Sequence, residues 1–196
     1  MARARAAALR RQAPVATLLA RLLGIRTAER DFRVGAAGEV VVARRLKRLD
    51  AAHWHVLHAV RVGENSADID HVVIGPAGVF TVNTKHHPGG RVWVGTHAVL
   101  VNGQKTDYLR SSRAEAARAS RLLGAACGFP VTVRPVIAVI AAWLDVRQEP
   151  PGVDLVAARD VDAWLRRQPA TLGPEQAARI FEQSRRESTW RPGGGP

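Results

Sequence analysis

The stretch Asp68-Ile69-Asp70-His71-Val72-Val73-Ile74, then Gly75-Pro76-Ala77-Gly78, then Val79-Phe80-Thr81-Val82-Asn83-Thr84-Lys85 decides the fold. Two β-branched apolar runs flank a Gly-Pro-Ala-Gly turn, which predicts a β-hairpin. With the turn at Gly75 to Gly78, Ile74 pairs with Val79, Asp70 falls opposite Asn83, and Asp68 falls opposite Lys85. Residues opposed on antiparallel strands share a face, with Cβ atoms about 5 Å apart. Side-chain alternation then places Asp68, Asp70, Asn83 and Lys85 on one face, with Ile69, His71, Val82 and Thr84 on the other. Two carboxylates, an amide and a lysine thus gather at one end of an apolar hairpin. Polar groups left unpaired in a dry site are costly, so the cluster calls for a function. The plain alternative is a simple ion pair between Asp68 and Lys85, worth little if exposed.

Outward from the hairpin, the elements predict a single α/β domain. Arg33 to Leu49 reads as a helix with Val34, Val41, Val42 and Leu46 as its apolar stripe. Gly35 and Gly38 in it permit close backbone approach. His53 to Val60 reads as a strand on which His53 and His55 share a face, yet no third ligand sits at zinc-site spacing. Gly63 to Ser66 is a turn. His86-His87-Pro88-Gly89-Gly90 is expected to end the third strand, where the histidines either contact phosphate or are simply exposed. A small hairpin follows around Gly95-Thr96, with Asn102-Gly103 as a further turn. Ser111 or Ser112 is the expected cap of a helix reaching Leu123, with Glu115 in its first turn. Val131 to Ala142 is an apolar run suited to a buried strand, regular from Val136 because Pro135 interrupts its start. Val153 to Val156 reads as a short strand. Helices are expected from Asp160, and from Leu172 through about Arg186.

A resemblance rests on these residues. Gly38-Glu39, Asp68-Ile69-Asp70-His71-Val72-Val73-Ile74-Gly75-Pro76, Gly78-Val79-Phe80 and Thr84-Lys85 resemble the NERD, or nuclease-related, domain over roughly 33–140. That family is placed in the PD-(D/E)XK nuclease superfamily. The resemblance implies a restriction-endonuclease-like αβββαβ core with a mixed central sheet flanked by helices, followed by C-terminal helices. Together with the composition of the two ends, it divides the chain into a basic extension over 1–30, helical or disordered, a nuclease-like core over 31–142, a further strand and helices over 143–190, and a disordered tail over 191–196.

The resemblance also implies a metal-dependent nuclease using Mg²⁺ or Mn²⁺. Glu39 and Asp70 take the roles of active-site acids and metal ligands. Lys85 takes the role of the motif lysine. Asn83 stands where the family usually has a carboxylate, two residues before that lysine. An amide offers one carbonyl oxygen to a metal but no negative charge, and hard cations prefer carboxylates. Glu115, near the position of a polar residue in the family's following helix, is expected either to cap that helix or to supply the charge missing at Asn83. The rival function is a weakened nuclease-fold module that binds nucleic acid or a protein without cutting.

Composition fits either function. The chain has 196 residues, 46% of them hydrophobic, enough for one core, and a formal charge of +12. Its isoelectric point is 11.5. Such an excess favours polyanions, with nucleic acid first and an anionic membrane surface second; as a partner, DNA is expected ahead of RNA. Arginine far outnumbers the three lysines amid abundant Ala, Gly and Pro, a bias that a GC-rich genome also produces. The apolar piece over 13–25 is broken by Arg21 and too short to span a bilayer, so peripheral contact through residues 1–30 is the most it offers. The lone Cys127 allows no internal disulfide and fits a cytoplasmic protein, with the thiol buried in a helix. No internal repeat, glycine-rich phosphate loop or serine–histidine nucleophile is present.

Overall fold

Two parallel strands form the spine of the fold. The computed structural model describes residues 28–63 and 68–191, with side chains from residue 34 onward. The expectations for the N-terminal extension before residue 28, for the turn at 64–66 and for the tail after residue 191 lie outside those residues. Helix α1 spans Ala28–Leu46, and strands β1 His55–Val60, β2 Ile69–Gly75, β3 Gly78–Gly95, β4 Ala98–Val101 and β5 Gln104–Lys105 follow. Helix α2, Tyr108–Cys127, leads to β6, Val133–Val146, and β7, Asp154–Ala157. A 3₁₀ turn, Ala158–Asp160, precedes α3, Val161–Arg167, α4, Pro174–Ser184, and α5, Glu187–Trp190. This is the expected αβββαβ order with helices after it. β3 and β6 run parallel at the centre, β7 adds parallel to β6, and β1, β2, β4 and β5 join antiparallel.

The central hairpin has the expected register: Ile74 faces Val79, Val72 faces Thr81 and His71 faces Val82. Gly75 is required by packing, since a Cβ there would lie 2.2 Å from the Trp54 indole. One sheet face carries Val72, Ile74 and Val79 against Ala116, Ala119 and Leu123 of α2, with Ile180 and Trp190 of α4 and α5 in the same cluster. The other carries Val73, Phe80 and Val82 against Val42 and Leu46 of α1 and Leu165 of α3.

Several expectations are corrected. Val41 is 40% exposed, because Gly38, Val42 and Leu46, four residues apart, face the sheet and Val41 is rotated away from them. Gly35 has nothing near its would-be Cβ, so only Gly38 serves a close approach. β1 begins at His55. The Asp50 carboxylate accepts from the Ala52 N–H at 3.0 Å and meets His53 Nδ1 at 2.7 Å, holding His53 in a turn. His55 instead stacks on Phe181, with ring centroids 4.0 Å apart. The His53–His55 pair therefore does not form.

β3 does not end at Pro88. Between the pairs His87–Ala141 and Arg91–Trp143 it advances four residues against two of β6, so the extra residues bulge and pairing resumes. Gly89, at φ +68°, supplies the left-handed residue the bulge needs. β6 likewise starts before Pro135, at Val133. Pairing with β7 begins only at Val136, so no ladder on that side needs an N–H from Pro135. Cys127 is buried and free at the end of α2, as expected.

Candidate functional site

The β2–β3 ladder stops at His71 and Val82, and the strands part beyond it. The Thr84 N–H would be left open there, and the Asp70 carboxylate accepts it instead, at 2.7 Å. This bond anchors Asp70 at the edge of a cavity of about 420 Å³. Glu39, Asp68, Asp70, Asn83, Lys85, Ser111, Glu115 and Arg118 line it. The alternation read from the hairpin thus brings its four polar residues together, and two helices add to them.

α1 contributes Glu39 from the far side of the sheet. It lies close because of Gly38: a Cβ there would fall 2.7 Å from His86 Cβ and 3.2 Å from Thr84 Cγ2. His86 Nδ1 bonds the Val34 carbonyl at 2.7 Å and ties the same helix to β3. α2 contributes Glu115. Its first turn begins at Tyr108, one turn earlier than expected, and the Asp107 carboxylate ahead of it accepts from Ser111 Oγ at 2.8 Å. Glu115 therefore sits in the second turn and does not cap the helix. Its Oε2 accepts from Asn83 Nδ2 at 3.2 Å. The acid from the helix meets the amide that stands in the usual carboxylate position.

The electrostatics are unfavourable without a counter-charge. Burial pushes the Glu115 carboxyl up to about 7, with the Asp70 charge adding to the rise and the Asn83 bond and Lys85 opposing it. Asp70 is also raised by burial, against the pull of Thr84 and Lys85. Glu39 is raised by burial and by the charge of Asp70. Among the described residues Asn83 Oδ1 and Glu115 Oε1 are buried without a hydrogen bond, although the nearby Thr81 hydroxyl pulls the Glu115 carboxyl down. Buried oxygens left in that state are costly unless something positive or donating meets them. Among the described residues, however, no three His, Cys, Asp or Glu side chains form a finished ligand set.

Lys85 is half-buried, and its Nζ lies 4.7 Å from the centre of the Tyr108 ring rather than in an ion pair with Asp68. His87 is buried and meets the Tyr108 hydroxyl at 3.2 Å. With His86 holding α1, neither histidine is an exposed strand end or a ready phosphate contact. His71 lies on the opposite face from Asp70, as expected. Burial lowers it to about 4, its Nδ1 meets His58 Nδ1 at 2.8 Å, and its Nε2 has no partner among the described residues. Sequence reasoning missed Arg118 and Tyr108. Arg118 lies three residues after Glu115 and so on the same helix face, which was a usable signal. Tyr108 was hidden by the late helix start.

Residues 34–140 match the nuclease-related domain, and the chain belongs to that NERD family. With it come the PD-(D/E)XK superfamily and the restriction-endonuclease-like fold, which the mixed sheet between helices fits. A stretch of 58 residues is 47% identical to an uncharacterized protein of Bacillus anthracis, covering 28% of this chain and 27% of that protein. No solved structure matches the chain. Membership points to a nuclease-related function. No helix among the described residues is long and apolar enough to cross a membrane.

Proposed function

We propose that the protein is a metal-dependent phosphodiesterase acting on nucleic acid, with its centre in the Asp70–Glu115 cavity. One observation carries this reading: Asn83 and Glu115, each with a buried oxygen unbonded among the described residues, line the same cavity as Asp70, Glu39 and Lys85. The donors are all hard oxygens, the set Mg²⁺ or Mn²⁺ takes, and Mg²⁺ ordinarily uses one or two carboxylates and fills the rest with water and phosphate oxygens. Asp70 and Glu115 would hold the cation, with Asn83 Oδ1 and Glu39 completing or orienting the site. A bound divalent cation supplies Lewis acidity and lowers the pKa of water.

The remaining roles belong to the chain itself. Thr84 fixes Asp70. Asn83 donates to one Glu115 oxygen and so aims the other. Lys85, steadied over Tyr108, offsets negative charge that builds on the phosphoryl group in the transition state. Arg118 holds the backbone phosphate beside it, without base readout. Glu115 returns from the helix the charge that Asn83 removes from the strand.

Labelled DNA and RNA, single- and double-stranded, incubated with Mg²⁺ or Mn²⁺ test the reading. Wild type is expected to cut, while Asp70→Asn and Lys85→Ala are not. A wild-type protein that binds with steep salt dependence and never cuts would leave the second reading, a binding module. Asn83 in the carboxylate position and the unfinished ligand set are the observations that favour it.

A further inference from the structure

Among the described residues, core side chains cover the distal half of the sheet on one side only. Along β3, Arg91, Val92, Trp93 and Val94 alternate exposed and buried. Val92, Val94, Val99 and Val101 pack into a core cluster with Leu109 and Ile137. The described residues leave the opposite face partly exposed, and a solvated sheet face ordinarily carries polar side chains. This one carries two tryptophans, Trp93 at 38% exposure and Trp143 at 44%. Arg91 pairs with Trp143, and Trp93 with Asp145, so all four point the same way. The Trp93 ring lies over Gly95, where a Cβ would come within 2.5 Å of it. The Arg91 guanidinium sits 4.8 Å from the Trp143 ring centre. Leu100 pairs with Trp93, and Lys105 with Leu100, extending the row across the sheet. The one acid on this patch, Asp145, is met by Arg147 at 2.6 Å.

We infer that this face is a stacking platform for an unpaired nucleic acid strand, and that single strands are the substrate class. The inference rests on the nucleic-acid reading of the cavity. Flat aromatic rings beside arginine and lysine match what unpaired bases and their phosphates need, and duplex bases have no free faces to offer. The positive side chains and the charge of +12 set the platform against a protein partner of the same basic character, including a second copy of the chain. The platform and the cavity both lie along β3, and an interval of that strand joins them. β3 loses its β2 neighbour after Val82 and gains its β4 neighbour only at Val92. Among the described residues, no strand fills that side of β3 between those points. Lys85, which lines the cavity with Glu39, lies within the gap. A strand held on Trp93 and Trp143 passes this opening to reach Asp70.

The test is binding without cleavage, in EDTA, with the full chain. Labelled single-stranded DNA, single-stranded RNA and duplex of one sequence are titrated by fluorescence anisotropy. Wild type is expected to prefer the unpaired strands. The double variant Trp93→Ala/Trp143→Ala is expected to lose about tenfold or more of that affinity and little for duplex, with the salt slope unchanged. Trp93→Phe/Trp143→Phe is expected to restore most of the loss, and it serves as the test if the alanine variant does not fold. Its tryptophan emission should no longer be quenched by single strands as wild type is. Equal single-strand affinity in wild type and double alanine variant overturns the inference. So does a self-association that Trp143→Ala abolishes while nucleic acid affinity stays the same, because the occupant is then a second copy. EDTA separates the two readings: a protein that never cuts can still pass this test, and a cutting protein can fail it.

Discussion

Glu115 carries the clearest electrostatic load in the molecule. Its carboxyl sits at about 7 in the fold against an ordinary 4.5. Between those values the folded chain holds a proton that the unfolded chain has released. Its contribution to stability is therefore full below pH 4.5 and declines as pH rises toward 7, by on the order of 3 kcal/mol in all. Urea unfolding across this range in EDTA should show the decline. Glu115→Gln should flatten much of it and leave the apo protein more stable than wild type at pH 8. A residual slope of the same sign remains, because Asp70 and Glu39 are raised as well. Saturating Mn²⁺ should stabilise wild type more than this variant. At Asp70, removal and replacement separate structure from chemistry. Asp70→Ala leaves the Thr84 N–H unpaired and should cost about 1–3 kcal/mol, whereas Asp70→Asn keeps an acceptor and should lose activity at little cost in stability. Thermal melts beside cleavage assays distinguish them. Asp70, Asn83 and Lys85 were legible in the sequence because strand alternation fixes their face once the turn is located. The Glu115–Asn83 bond depends on how far α2 advances before it crosses the strand, which no local pattern sets. That is why capping and charge replacement were both open for Glu115.

Between elements, Gly38 decides how α1 meets β3. The Cβ in Gly38→Ala would press on His86 and Thr84, lift the helix, and carry Glu39 away from the cavity. We expect a loss of about 1–3 kcal/mol and a fall in activity. Gly35→Ala, with open space around it, should gain about 0.5–1 kcal/mol through helix propensity and leave activity unchanged. Chemical denaturation of the pair checks the contrast. Both glycines look alike in the sequence, since only the partner strand tells them apart. The same limit applies to the strand ends. Pro88 and Pro135 read as breakers, yet β3 bulges past the first and β6 tolerates the second where no neighbour needs its N–H. His53 was drawn out of its strand by Asp50, a side-chain bond that competes with the ladder. The hairpin register, by contrast, followed from turn chemistry and apolar alternation alone.

For the whole molecule, the parallel β3–β6 spine is the organising feature. It lets one long strand serve two antiparallel partners in succession, and the interval between them is where the polar residues collect. The fold order was legible from apolar runs and turns together with the family resemblance. The opening beside β3 was not, because it comes from where two ladders stop. The positive charge, spread over many arginines, predicts nucleic acid binding that weakens as a power of salt concentration, measurable by anisotropy in EDTA. The central claim is that the Asp70–Glu115 cavity exists to hold a divalent cation. Anomalous diffraction from crystals soaked in Mn²⁺ tests it most directly. The expected result is a peak within about 2.0–2.5 Å of oxygens of Asp70 and Glu115 that disappears in Glu115→Gln crystals. A fully soaked crystal with no peak there would contradict it.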